Sequence, residues 1–451
     1  MQRINFVWGK PAPSLLPVAN LSQAIQDILT DPAAATDALE YGDPAGPIAL
    51  RRQVAKSLSA FYRTPNAADE ICITAGSSQG LVTVLQVLSD PLLTKRVWLV
   101  APCFHSACRI FEDAGFTGKL RAVPETENGI DLAYLERAMM QVELEDNPEY
   151  EGAGINCVPQ PTKPADPARK TYTHHIYLVP TFSNPSGRTV PLSHRRDLVA
   201  LARRFDALII SDDIYDYLSY SAGHVADAPS LLPRLVDIDR TLPTLSTDPY
   251  AFGHTLSAGS FSKLISPGIR TGWISTSPSL ARALSAAGAS IAGGCPSQLG
   301  AAVVAQFLAT GQLTSHIYNT LIPAYTHRRH LMATTVRETL GPLGVRIMED
   351  SEGRTGGYFL WLRLPGQVDG RLVARTCAEQ EALDILPGEA FEVIGDTTVK
   401  LSSYLRVCFS WSDEKNLVEG IRRLGRVICG LLEEFEKEKQ CTGTMQSISR
   451  I

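Results

Sequence analysis

The chain has 451 residues, 44% hydrophobic and 20% charged, with 42 basic and 47 acidic side chains and a net charge of −5. That composition belongs to an ordinary water-facing globular chain, and no Lys/Arg run forms a basic stripe, so no nucleic-acid partner is expected. No apolar run reaches membrane-spanning length, so no membrane partner is expected either.

The first residues, "MQRINFVWGKPAPSLLP", are broken by Asn, Lys and prolines and lack the apolar stretch of a secretion signal. Next comes a turn-forming segment, "YGDPAGPIALR", from Tyr41. From residue 71, short β-branched apolar runs alternate with longer helical patterns. "ICITA" precedes "SSQGLVTVLQVLSD", and "RVWLVAP" precedes "HSACRIFEDAG". "HHIYLVP" precedes "SHRRDLVALARRFDA", which leads into "LIISDD". This alternation predicts an α/β fold with a mostly parallel sheet and helices on both faces. Two Pro-rich segments, 144–172 and 221–254, interrupt the rhythm and are expected to be surface insertions. After about residue 315 a long helical pattern, strand-like "GGYFLWLRLP" and "YLRVCFSWS", and a closing helix predict a smaller α+β domain. The expected division is an N-terminal segment 1–40 joining the small domain, a large domain 41–315, and a small domain 316–451.

The nine cysteines show no CxxC spacing. Cys103 and Cys108 are the closest pair, and all are expected to be reduced thiols with no metal bound. A cytoplasmic location is expected. The final Ser449-Arg450-Ile451 is an inexact match to a peroxisomal address.

In an open α/β sheet, ligands bind beyond the carboxyl ends of the strands. Distinctive residues fall there. Ser77, Ser78 and Gln79 follow "ICITAG" and open a helix, where free N–H groups suit a phosphate or a serine simply caps the end. Phe104 follows "VWLVAP" and offers a flat face. Asn184 follows "IYLVPTFS". Asp212 ends "LIISD", with Asp213 and Tyr215 close behind. Lys263 follows "TLSAGSFS", with Ser260 before it and Arg270 after it. A phosphate cup, an aromatic face, an acid for a ring N–H⁺ and a lone lysine together describe pyridoxal phosphate. The lysine would condense with the aldehyde, and the ring would draw electrons from a carbanion at Cα.

The motifs "SFSKLISPGIRTGW", "NPSG", "DDIY" and "YGDPAGPIALR" carry a resemblance. The chain resembles the fold type I, pyridoxal-phosphate-dependent class I/II aminotransferases, in the branch of 2-aminoadipate and kynurenine enzymes. The resemblance covers nearly all of it apart from the two insertions and the tail. It implies that Lys263 is the Schiff-base lysine and that Asp212 partners the pyridinium, with Asp213 a structural neighbour. It implies that Tyr215 and Asn184 bond the phenolic oxygen, and that Phe104 stacks on the ring. Ser77, Ser78, Gln79, Ser260 and Arg270 would hold the phosphate. Tyr41 would reach the phosphate in a neighbouring subunit, which implies a homodimer. Arg406, in "YLRVCFS", would grip the substrate α-carboxylate, and Gly9 would let the N-terminal segment pass close over the substrate.

The chain departs from the family pattern at Ser183 and Ser186. His105 either touches substrate or simply begins a helix. Tyr358 is expected at the pocket's edge. The implied activity is ping-pong transfer of an amino group from an L-amino acid to a 2-oxo acid. A lyase or synthase on the same scaffold is the alternative. A regulatory binding module is less in keeping with a pattern that starts within the first ten residues.

Overall fold

Four of the apolar runs become strands buried along their whole length, because helices cover both faces of the sheet they build. In the computed structural model the described residues are 2–145, 161–164, 166–220, 232–366 and 368–448, with 438–448 as backbone alone. Most of the first expected insertion, the start of the second, and Ser449-Arg450-Ile451 lie outside them.

Eight strands form the large sheet: β1 (Ile71–Thr74), β2 (Arg96–Ala101), β3 (Leu120–Thr126), β4 (Gly129–Ile130), β5 (His174–Leu178), β6 (Ala207–Asp212), β7 (Thr255–Ser260) and β8 (Gly272–Ser275). Their order is β1-β8-β7-β6-β5-β2-β3-β4. Strands β7, β6, β5, β2 and β3 run parallel, whereas β8 is antiparallel to both neighbours and β4 to β3. Period-two alternation feeds two cores. Leu208 and Ile210 of β6 pack with Leu81, Val84 and Leu85 of the helix Ser77–Leu88. Ala207 and Ile209 face the other way, onto Leu198, Val199 and Ala202 of Leu192–Arg204. Each such burial stabilises the layer by roughly 1.5–3 kcal/mol.

A second, antiparallel sheet contains β9 (Arg346–Met348), β10 (Phe359–Arg363), β11 (Leu386–Pro387) and β12 (Tyr404–Cys408), in the order β9-β10-β12-β11. The N-terminal segment joins this side. Ile4–Asn5 pairs in parallel with Leu383–Asp384, and the Cys408 N–H donates to the Phe6 carbonyl at 3.0 Å. The helix expected after residue 315 is not uniform. A wide turn at Ile317–Leu321 separates Gln312–His316 from Ile322–Thr339. Pro323 explains the break, since it has no N–H to give and its ring crowds the carbonyl four residues back. Among the described residues, no helix is long and apolar enough to cross a membrane.

The described parts of the two expected insertions are not all surface. Tyr172 is fully buried. Arg234 and Asp237 are buried together, with Arg234 Nε and Nη2 donating to the two carboxylate oxygens at 2.9 and 2.7 Å. A third donor reaches Asn66 Oδ1 at 2.7 Å. The pair fastens Leu235–Arg240 under the sheet, below Ser257 of β7. Arg234→Met is expected to destabilise the protein by about 3–5 kcal/mol, because it strands a buried carboxylate. Denaturant midpoints would check this, and a change below about 1 kcal/mol would contradict it.

Candidate active site

Three walls meet above the carboxyl ends of β5, β6 and β7, and they enclose a cavity of about 400 Å³. Its floor is Asp212, the last residue of β6. Tyr177 of β5 pairs with Ile210, so its side chain shares a face with Asp212 two residues on. The Tyr177 hydroxyl donates to Asp212 Oδ2 at 2.8 Å. The other oxygen, Oδ1, is buried with no hydrogen-bond partner among the described residues. Burial pushes this carboxyl up to about 7, against the pull of the tyrosine bond. Its neighbour Asp213 is fully satisfied by Ser211 Oγ, at 2.6 Å, and by Ser257 Oγ.

Lys263 follows β7 and enters the same cavity. Its Nζ donates to the Gly9 carbonyl at 2.6 Å, and burial lowers its pKa to about 8. Tyr358 is not at the edge. It is fully buried beneath the lysine, where its hydroxyl donates to the Lys263 carbonyl at 3.0 Å, because the turn after Gly357 aims it inward. Gly9 is needed on contact grounds: a Cβ there would lie 2.6 Å from Phe359 Cζ.

Ser77 and Ser78 line the next wall at the start of a helix whose first-turn N–H groups have no helical acceptor. Gly76 precedes them with φ of 100°, a conformation that favours glycine. Arg270 crosses over this end, with Nη2 donating to the Ala75 carbonyl at 2.6 Å and Nη1 to that of Pro267 at 3.0 Å. Ser260 lines the cavity, and its Oγ accepts the Ser262 N–H at 3.2 Å. The Gln79 side chain is exposed and outside the lining. Tyr41 is 85% exposed and also outside it.

The third wall belongs to the small sheet. Arg406 of β12 is 2% exposed, donates from Nη1 to Asn184 Oδ1 at 3.0 Å and from Nη2 to the Val7 carbonyl at 2.6 Å, and leaves Nε buried without a partner among the described residues. Its guanidinium lies 4.1 Å from the Phe359 ring centroid. Burial without a carboxylate partner lowers it to about 10. Asn184 sits on a loop tied by fully buried Arg195, which donates to Pro180 O, Thr181 Oγ1 and Val190 O. Ser186 contributes a 2.7 Å bond to Glu125, and Ser183 is buried in the same loop. Tyr215 is buried and lines the cavity, and its hydroxyl has no hydrogen-bond partner among the described residues. Phe104 is half-buried on the lining. His105 starts the helix His105–Phe111, as the simpler expectation had it, and the residue also lines the cavity.

Tyr177, Trp8, Ile214 and Phe359 also reach this region and were not expected from sequence. For Tyr177 a signal existed, a lone hydroxyl in an all-buried strand, which must find a partner. The Cys103 and Cys108 sulfurs lie 3.6 Å apart, both as free thiols.

The geometry can be set beside known proteins. The family model for aminotransferase class I and II matches residues 5–424. An uncharacterized protein of Saccharomyces cerevisiae is 33% identical over 94% of this chain and 97% of its own. Aromatic-amino-acid aminotransferase 1 of Thermococcus litoralis is 27% identical over 96% of this chain and 89% of its own. The solved structure of Thermus thermophilus α-aminoadipate aminotransferase, complexed with N-(5′-phosphopyridoxyl)-L-leucine, superposes with a TM-score of 0.73 at 25% identity, covering 96% and 93% of the two chains. With the expected fold and lysine-bearing cavity in place, the chain belongs to the class I and II aminotransferase family and is an aminotransferase, acting on amino acids and 2-oxo acids.

Proposed function

We propose that the cavity holds pyridoxal 5′-phosphate and that the residues around it carry out transamination of L-amino acids. The observation that carries this is the buried, half-satisfied carboxylate of Asp212, which shares its cavity with Lys263. An orphaned carboxylate oxygen asks for a cationic donor, as a protonated ring nitrogen would supply. The free N–H groups of Ser77, Ser78 and Gln79, with Arg270 beside them, ask for a phosphate. The residues present therefore fit the group.

Lys263 would hold the cofactor covalently through Nζ, and Asp212 would bind its ring nitrogen. Ser77, Ser78, Ser260 and Arg270 would bind its phosphate, with Gln79 contributing only a main-chain N–H. Tyr215 and Asn184 would donate to its phenolic oxygen, and Phe104 would cover its ring. When bound, the cofactor supplies an electron sink for the pair left at the substrate Cα. Lys263 then needs a free amine to take and return the Cα proton, and burial already sets that amine near neutrality. Arg406 binds the substrate carboxylate by exchanging the Val7 carbonyl and using its orphaned Nε, while Asn184 keeps the guanidinium in place.

The proposed assembly is a homodimer. Leu39, Tyr41 and Ile291 are 66%, 85% and 64% exposed. They lie on adjoining segments, since Gln298 Nε2 donates to the Asp37 carbonyl at 2.8 Å. A second copy covering this face would bring its Tyr41 to the phosphate end of the cavity, and the first copy's Tyr41 to its own.

Borohydride reduction of the cofactor-loaded protein is expected to trap an adduct on Lys263, located by peptide mass spectrometry. Capture of the aldehyde by cofactor-free protein is expected to quicken as pH rises and to level off above about pH 8, because the neutral amine is the nucleophile. An adduct elsewhere, or a rate still climbing at about pH 10, contradicts this assignment.

Arg406→Lys is expected to lower kcat/KM for amino donors by about 30-fold or more through loss of the paired donors, with cofactor absorbance unchanged. Steady-state kinetics alongside the visible spectrum check it, and an unchanged kcat/KM would contradict it.

A further inference from the structure

Those assignments leave the substrate's side chain without a site. With its carboxylate on Arg406 and its Cα beside Lys263, the side chain must run along the remaining wall. That wall is Val7, Trp8, Ile214 and Phe359, with His105 its polar member. Besides His105, the cations that line the cavity are Lys263, Arg270 and Arg406, and each already has a role. Among the described residues that line the cavity, no lysine or arginine is left over for a second carboxylate, and burial holds the His105 imidazole below its ordinary value.

Trp8 stands out on this wall. It is 46% exposed and lies between this cavity and a second one that it lines with Trp411, yet its backbone and its ring are both held. Its N–H donates to Asn5 Oδ1 at 3.0 Å, and its carbonyl accepts from Cys408 Sγ at 3.2 Å. Its indole meets that of Trp411 edge-on, with centroids 5.2 Å apart. The Lys10 ammonium lies 4.1 Å from the Trp8 centroid and 4.2 Å from that of Trp411. An ammonium shared by two indole faces fixes both rings, since each face attracts the same charge. Gly9, between Trp8 and Lys10, presses on Phe359 and accepts from Lys263, so the segment cannot drift from the reacting centre without breaking these contacts.

The geometry points to Trp8 as a specificity-determining residue: its indole closes the outer side of the side-chain subsite and selects aromatic amino acids over those ending in a carboxylate. Lys10, lodged between Trp8 and Trp411, is a positioning residue that holds the indole there. This rests on the transaminase assignment of the same cavity. A flat apolar wall gains contact area from an aromatic ring, while a carboxylate placed against it loses water and meets no spare lysine or arginine in the cavity lining, Lys10 being engaged by the two indoles.

The test follows the amino-donor half-reaction of the cofactor-loaded protein by stopped flow, with L-phenylalanine, L-alanine and L-glutamate. It is paired with calorimetric binding of 3-phenylpropionate and propionate, which cannot react. Trp8→Ala is expected to lose about tenfold or more for L-phenylalanine and for 3-phenylpropionate, while L-alanine and propionate change less than about threefold. Trp8→Phe is expected to recover most of the loss, and Lys10→Met to show a smaller loss in the same aromatic-selective direction. Equal losses for large and small donors would overturn the inference. So would a wild-type preference for L-glutamate that disappears in Lys10→Met, since Lys10 would then be gripping a distal carboxylate. Trp8-dependent binding of 3-phenylpropionate without amino transfer would overturn the transaminase assignment and leave the subsite standing. Normal transfer with unchanged selectivity in Trp8→Ala would overturn the subsite alone.

Discussion

A carboxylate buried at the end of a strand, with one oxygen satisfied and one not, is the constraint on which the rest of this site depends. Taking such a charge from water costs several kcal/mol unless it is paired. Among the described residues Asp212 has one tyrosine hydroxyl and no cation in contact, and burial pushes its carboxyl up to about 7. The adjacent Asp213 shows that the fold can satisfy a buried carboxylate when it needs to, with two serine hydroxyls and the fields of Arg234 and Arg195. Arg234 is in turn locked to Asp237. One carboxylate is thus closed off as scaffold while its neighbour is left open toward the cavity. Local hydrogen bonding, and not position in the strand alone, separates their roles.

The opposite wall repeats this logic with the sign reversed. Arg406 is almost wholly buried and has an amide, a carbonyl and two aromatic faces for company, but no carboxylate. It arrives from the small sheet, Asn184 from the large one, and the Val7 carbonyl from the N-terminal segment. The unfinished cation therefore ties three parts of the chain at one point. Tyr215, Tyr358 and Phe359 pack edge-on between the sheets and keep the walls at a fixed spacing.

Much of this was legible in the sequence, and for physical reasons. Strands buried on both faces must be apolar throughout, so their ends, and the polar residues just past them, stand out. Asp212, Asn184 and Lys263 were visible in that way. Arg406 was visible because an arginine seldom sits unpaired inside an apolar run. Tyr177 offered only a hydroxyl that had to find a partner, and a strand buried on both faces gives no solvent-facing alternation from which to read which partner that is. Trp8 was hidden because its position depends on Trp411, more than four hundred residues away along the chain. The burial of Arg234 was masked by a Pro-rich stretch that reads as surface. Gln79, which opens the right helix, was placed by sequence at the phosphate, yet its side chain turns outward.

The central claim is that the open oxygen of Asp212 keeps a bound ring nitrogen protonated. The most direct measurement is the ¹⁵N chemical shift of ring-labelled pyridoxal phosphate bound to the wild-type protein and to Asp212→Asn. The account predicts a pyridinium shift at neutral pH in the wild type, and the shift of an unprotonated pyridine nitrogen in the variant. A neutral ring nitrogen in the wild-type protein, or a pyridinium that persists in Asp212→Asn, would contradict it.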